Sequence, residues 1–127
     1  MIYEIQLQTE KRDDMLDITA QVEKILVQEN VQDGLIVVYS PHTTAGITIN
    51  ENADPDVQKD ILRRLDEIYP RDNDKDRHGE GNSAAHLKAS TVGHPKLSLF
   101  IKGNYFLAAG RVFIFVNLMV LVRVAVF

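Results

Sequence analysis

The hydrophobic period of the chain changes several times, and each change marks an element. Residues 2–8 alternate, with Tyr3, Ile5 and Leu7 on one side and Glu4, Gln6 and Gln8 on the other. That is the pattern of a half-buried strand. Met15, Ile18, Val22 and Ile25 then recur at three- and four-residue spacing, which predicts a helix with one apolar stripe. Asp13 or Asp14 is placed to cap it, and Asp33-Gly34 marks the turn beyond it. Residues 35–39 are a short apolar, β-branched run; Ser40-Pro41 interrupts it and residues 46–49 resume strand character.

Asp54-Pro55 opens a second helix, because Asp accepts the free amide hydrogens of a first turn and Pro suits the first helical position. Val57, Ile61, Leu65 and Ile68 are its expected buried stripe, and Pro70 stops it. Residues 71–82 form a charged, turn-rich loop. A short helix is predicted over 83–90, with Asn82 as its cap and Gly93 past its end. The remainder reads as β structure, about 97–101, 105–107, 112–118 and 120–127. The order β-α-β-β-α-α, followed by a β-rich third, defines an α+β class in a single domain over residues 1–127.

Composition narrows the picture. A chain of 127 residues can bury roughly two-thirds of its unfolded surface without covalent staples. With no cysteine, disulfides and thiolate metal sites are excluded, which fits a reducing, cytoplasmic setting. The net charge is −4 and the basic residues are scattered, so nucleic acid is not the expected partner. No basic leader precedes an apolar run, so no signal peptide is expected. The apolar stretch 112–127 is shorter than the roughly 20 residues a membrane helix needs, and it carries Asn117 and Arg123. It is read as buried β structure, and no membrane partner is expected.

Three segments carry polar chemistry. Ser40-Pro41-His42-Thr43-Thr44-Ala45-Gly46 sets an imidazole and three hydroxyls between two strands. Histidine serves as proton carrier or metal ligand, and hydroxyls with loop amides hold phosphate oxygens. The plainer reading is a polar turn with Thr43 and Thr44 bonded to nearby backbone. Asn50-Glu51-Asn52-Ala53-Asp54 follows a strand end, where site residues are common; Asp54 is expected to serve as helix cap. Arg77-His78-Gly79-Glu80-Gly81-Asn82 precedes His86 and Lys88, and its glycines allow the loop to bend and aim Glu80 inward. Two imidazoles and a carboxylate can hold zinc, although the spacing from His78 to His86 matches no standard zinc motif. No phosphate-loop, dinucleotide or nucleophile-elbow fingerprint is present.

Residues 42–57, His42-Thr43-Thr44-Ala45-Gly46-Ile47-Thr48-Ile49-Asn50-Glu51-Asn52-Ala53-Asp54-Pro55-Asp56-Val57, resemble the signature of the YjbQ-like family. So do residues 77–90, from Arg77-His78-Gly79-Glu80-Gly81-Asn82 through His86-Leu87-Lys88 to Ser90. The resemblance is strong over residues 1–93. It implies a compact sandwich with a jelly-roll-like, mostly antiparallel sheet and two to three helices, assembled as a homotrimer.

The family is often labelled a secondary thiamine-phosphate synthase. That label implies a pyrophosphate-displacing condensation at a His-rich pocket near a subunit interface. The expectation is then that His42, Glu51 and His86 carry catalysis. Thr43, Thr44, Asn50, Asn52, Glu80, Gly81, Asn82, Lys88 and Arg111 contact a small anionic or phosphate-bearing ligand. His42, His78 and His86 hold a divalent metal, zinc or magnesium, and no organic cofactor is expected. A non-catalytic trimer that binds a metal or an anion is the alternative. The last third departs from the pattern: residues 108–111 are Ala-Ala-Gly-Arg where the family carries Gly-Thr-Trp-Gln, Pro95 stands at the place of a serine, and the chain has no Trp.

Overall fold

The computed structural model describes residues 2–105, 111–117 and 122–126. In chain order the elements are β1 (Tyr3–Leu7), β2 (Asp14–Asp17), α1 (Thr19–Gln28), β3 (Gly34–Tyr39), β4 (Ala45–Glu51), α2 (Pro55–Ile68) and α3 (Ser83–Val92). Then follow β5 (Pro95–Ile101), β6 (Asn104–Tyr105), β7 (Arg111–Asn117) and β8 (Val122–Val126). The strands form a five-stranded sheet of order β1-β8-β3-β5-β6 and a three-stranded sheet of order β2-β7-β4. Every pairing among the described residues is antiparallel. The chain is thus an α+β sandwich of antiparallel sheets with three helices.

The three-stranded sheet is the middle layer, and β7 shows why. Within it, the five residues from Val112 to Val116 are apolar at consecutive positions, the mark of a strand buried on both faces. Phe113 and Phe115 enter the core between the sheets, with Ile5, Leu7, Ile36, Val38, Ala45, Ile47 and the α1 residues Val22 and Leu26, and with Ile18 just before that helix. Ile114 and Val116 point the other way and meet Met15, Ala85 and Ala89, with Ile61 and Leu62 of α2 packed around them. The order of layers is therefore five-stranded sheet, three-stranded sheet, then α2 with α3.

This double burial also corrects the expected start of the first helix. Residues 14–17 are strand β2, paired with β7 in the register Met15↔Val116 and Leu16↔Phe115, and α1 begins only at Thr19. Met15 belongs to the core under α3, and Leu16 and Ile18 belong to the core between the sheets. A period-2 strand can send neighbours to opposite faces, whereas a helix stripe cannot. Neither Asp13 nor Asp14 caps α1; the Thr19 N–H donates to Asp17 Oδ1 at 2.9 Å.

Helix α2 starts as expected, with the Asp56 N–H donating to Asp54 Oδ1 at 2.9 Å and Pro55 at the first turn. Its stripe is shallower than predicted. Leu65 is buried and Ile61 half-buried, but Ile68 faces solvent. Asn82 stands at the N-cap of α3 without a side-chain cap bond. Its Nδ2 donates instead to Glu80 Oε2 at 3.2 Å.

Gly46 sets the seat of α3. A Cβ at this position would lie 2.7 Å from the Gly93 carbonyl oxygen and 2.8 Å from Val92 Cγ1. The Ile47 N–H donates to that same carbonyl at 2.8 Å, so the end of α3 closes the free edge of β4. The expected strands reached to 107, 118 and 127; residues 106–110, 118–121 and 127 lie outside the described residues.

Candidate functional site

The site residues collect around helix α3 and the loop before it. Residues 86 and 88 are about 200° apart on a helix, so they face different surroundings. Lys88 points inward beneath the β1–β2 connection, and its side chain is only 4% exposed. Its Nζ donates to Asp13 Oδ2 at 2.6 Å and to Asp66 Oδ1 at 3.0 Å. One ammonium thereby ties three separate pieces of chain together. Burial alone would lower its pKa. The two hydrogen-bonded carboxylates more than offset that, and it stands above the ordinary lysine value.

A cleft of about 380 Å³ opens beside this ion group, lined by Lys11, Arg12, Asp13, Asp66, Arg71 and Lys88. Ala84 and Ala85 of α3 form the rest of its wall and leave the space open with their short side chains.

On the other side of α3, His86 is half-buried and meets His78 edge-on, ring centroids 5.3 Å apart with an interplanar angle of 62°. This pair lies in an open depression of about 410 Å³ with Asp76, Ser83 and Leu87. The loop reaches His86 because it bends back on itself: the Gly81 N–H donates to the His78 carbonyl at 3.0 Å, and Gly81 has φ +66°, a conformation that favours glycine. A third depression, of about 280 Å³, is lined by Arg71 and His78 together with Asp72, Asp74 and Asp76. Arg71 therefore borders both the cleft and the histidine side.

The other expected residues lie elsewhere. The turn 40–44 sits at the opposite end of α3, where the Ser40 N–H donates to the His94 carbonyl at 3.2 Å. The His42 N–H donates to Ser40 Oγ at 3.4 Å, Thr43 is exposed and Thr44 half-buried. His42 is thus placed apart from the His78–His86 contact. No group of three or more His, Cys, Asp or Glu side chains arranged to hold a metal occurs among the described residues. The two imidazoles fit only part of a ligand set, and no metal chemistry is derived from them.

Asn50 Oδ1 accepts from the Glu51 N–H at 2.8 Å, and Asn52 Nδ2 donates to Asp17 Oδ2 at 3.0 Å while its Oδ1 accepts from Gln58 Nε2. Asn52 therefore ties the start of α2 to β2. Glu51 and Arg111 are cross-strand partners at the ends of β4 and β7, both exposed. Sequence reasoning missed Asp13, Asp66, Lys11, Arg12 and Arg71. The one available signal was the sequence Lys11-Arg12-Asp13-Asp14, which looked like helix-capping and loop residues.

The fold and this layout define an α+β protein whose polar site follows no known catalytic constellation. The comparisons place it in a family. The profile described as "UPF0047 protein YjbQ-like" matches residues 3–117, so the chain belongs to the YjbQ-like family. UPF0047 protein YugU of Bacillus subtilis is 59% identical over 93 residues, 73% of this chain and 70% of the relative. UPF0047 protein MJ1081 of Methanocaldococcus jannaschii is 48% identical over 93 residues, 73% of this chain and 67% of the relative.

Among solved structures, an uncharacterized conserved protein of the same family from Clostridium acetobutylicum matches with 42% identity and a TM-score of 0.94, covering 98% of each chain. A conserved hypothetical protein from Thermus thermophilus matches with 35% identity and a TM-score of 0.90, also over 98% of each chain. The family, the fold and the YjbQ-like character expected from the two signature stretches are thereby established. Among the described residues no helix is long and apolar enough to cross a membrane.

Proposed function

We propose that the chain handles a small phosphate-bearing ligand at the His78–His86 pair, with His86 as the principal catalytic group. The observation that carries this reading is the ring contact of the exposed His78 with the half-buried His86 in an open depression, with Arg71 lining the adjoining one. Two adjacent ring N–H donors and a guanidinium suit the oxygens of a phosphate. The reaction class implied by the family label is condensation of an aminopyrimidine diphosphate with a thiazole phosphate. There the thiazole nitrogen bonds to the pyrimidine methylene carbon as the C–O bond to diphosphate breaks, and the electron pair leaves with pyrophosphate. Donors held against the leaving oxygens would speed that step as charge develops on them.

The departure of residues 108–111 from Gly-Thr-Trp-Gln favours a second reading, in which the same site binds an anion or metal without turnover. Pyrophosphate release from the two substrates, measured on the wild type and on His86→Ala, separates the readings. Turnover that disappears in the variant supports catalysis. A wild type that binds phosphate but releases nothing supports the second reading, and turnover unchanged in the variant overturns the first.

Self-assembly belongs to the same proposal. Leu35 and Leu97 are 54% and 58% exposed on neighbouring strands, with half-buried Val37 between them on the outer face of the five-stranded sheet. Glu4 and Gln6 make the same face polar at β1. A second and third copy seated on the apolar part would form the expected homotrimer. Sedimentation analysis of Leu35→Lys tests it: a shift from trimer to monomer supports this surface, and an unchanged trimer rejects it.

A further inference from the structure

We propose that the cleft between the β1–β2 connection, the end of α2 and the first turn of α3 is a second anion site, which takes a phosphate group of a small molecule. It does not require the histidine pair. Charge balance is the starting point. The cleft is lined by four cationic side chains and two carboxylates, a net of +2, in a chain whose formal net charge is −4.

Asp13 and Asp66 share the single buried Lys88 ammonium, so that group keeps one negative charge. If Lys11, Arg12 and Arg71 were there to balance these acids, they would pair with them. Among the described residues they form no ion pair at all. Three like charges from two separate stretches of chain therefore border one space, and the one negative charge left in the Lys88 group does not balance them.

The space suits such an occupant. About 380 Å³ lies in the range of small-ligand pockets. Guanidinium groups pair with phosphate through two parallel hydrogen bonds, and Arg12 is half-buried against the wall, which leaves less side-chain freedom to lose on binding. The Lys88 ion group beneath ties the surrounding segments together. Arg71 borders this cleft and also the depression that holds His78, but Asp72, Asp74 and Asp76 line that other side, so the anion is placed on the cleft side of Arg71.

Titration calorimetry with inorganic phosphate and then pyrophosphate on the intact chain tests this, comparing wild type, Arg12→Gln, Arg71→Gln and the double variant His78→Ala with His86→Ala. Each arginine variant should weaken pyrophosphate binding about tenfold or more, as expected for loss of one charged hydrogen-bonding partner. The histidine double variant should keep phosphate binding in the cleft. Both arginine variants should melt with the wild type, since neither side chain forms an ion pair among the described residues; Lys11→Gln supplies the comparison if one does not. Binding unchanged in the arginine variants but lost in the histidine double variant would overturn the cleft and leave the reading of the histidine pair standing. Binding lost in the arginine variants, with the histidine double variant keeping every phosphate site of the wild type, would establish the cleft and remove the histidine reading. A wild type that binds neither anion would refute both.

Discussion

Within three residues, helix α3 presents two opposite treatments of a titratable side chain. Lys88 is buried, donates to two carboxylates from distant parts of the chain, and has its charge fully matched. His86 is half-open and meets the edge of another imidazole. A buried charge must be matched or it destabilises the fold, so Lys88 has little freedom to do anything else. A half-open imidazole makes few demands on its surroundings and remains available to a ligand. The signature stretch contains both residues two positions apart, but the structure gives them different surroundings. Lys88 joins three stretches of the scaffold and lines the cleft, and His86 lies half-buried beside His78.

The first way to break this comparison is to move the whole helix. Gly46→Ala places a methyl group 2.7 Å from the Gly93 carbonyl oxygen, a backbone atom that cannot swing aside. The end of α3 must then shift off β4. The expected loss is about 3 kcal/mol, at the high end for overpacking, read by chemical denaturation. Both sides of α3 should suffer together, with weaker ligand binding as well as lower stability. Full stability in this variant would show that α3 is not seated by the close approach at Gly46.

Lys88→Met comes next and separates the two sides. The methionine keeps the packing of the aliphatic stem but removes the ammonium. About 2 kcal/mol should be lost, below the value for a wholly buried pair because Asp66 is 62% exposed and already screened by water. The pH dependence gives a second reading. The folded-state pKa of Lys88 is raised, so its contribution is fully present below the ordinary value of 10.5 and lost as pH rises through the folded value. Wild-type stability should therefore decline above about pH 10.5, and the decline should be shallower in Lys88→Met. Equal slopes would show that Lys88 carries no such linkage.

His86→Ala is the counterpart. A half-buried residue with no ion pair among the described residues should cost within about 0.5 kcal/mol on thermal melting, while phosphate binding proposed at the histidine pair falls and that proposed in the cleft stays. A large loss of stability would place His86 with Lys88 in the scaffold and dissolve the contrast.

These contrasts also show what the sequence made legible. Local signals survived where one rule acted alone. The alternation in residues 2–8 became β1, and Asp54-Pro55 became a capped helix start. Both signature stretches led to the right family and an antiparallel α+β sandwich. The reading failed where two cores competed for one segment. Met15 and Ile18 have helical spacing, but they serve opposite faces of the middle sheet, and only the pairing of β2 with β7 reveals it.

The site divided along similar lines. The His78–His86 contact follows from a loop bending into the next helix, a local event marked by Gly81. The Lys88 group joins residues 13, 66 and 88, and nothing in their spacing along the chain announces that meeting. His42 sits in the same signature as the strand it precedes, yet the seat of α3 on Gly46 carries that turn to the helix end opposite His86.

The smallest expected effect sharpens the comparison from outside α3. Helix α2 carries its own ion network on the solvent side: Arg63 reaches Asp60 at 3.1 Å and Glu67 at 2.5 Å, and Arg64 reaches Glu67 at 3.1 Å. Hydrogen bonds from Arg64 and Arg63 hold the Glu67 carboxyl below its usual range. By linkage, its contribution is present above the ordinary carboxylate range and lost as pH falls through the lowered value. The network is at least as rich in charges as the Lys88 group, but water and salt screen it. Glu67→Gln should therefore leave the melting temperature at neutral pH and physiological salt where the wild type has it, and differ only in the acid limb of the stability curve. If instead it lowered the melting temperature as much as Lys88→Met does, burial would not be what distinguishes the two ion groups. The contrast between the fixed and the available side of α3 would then need another cause.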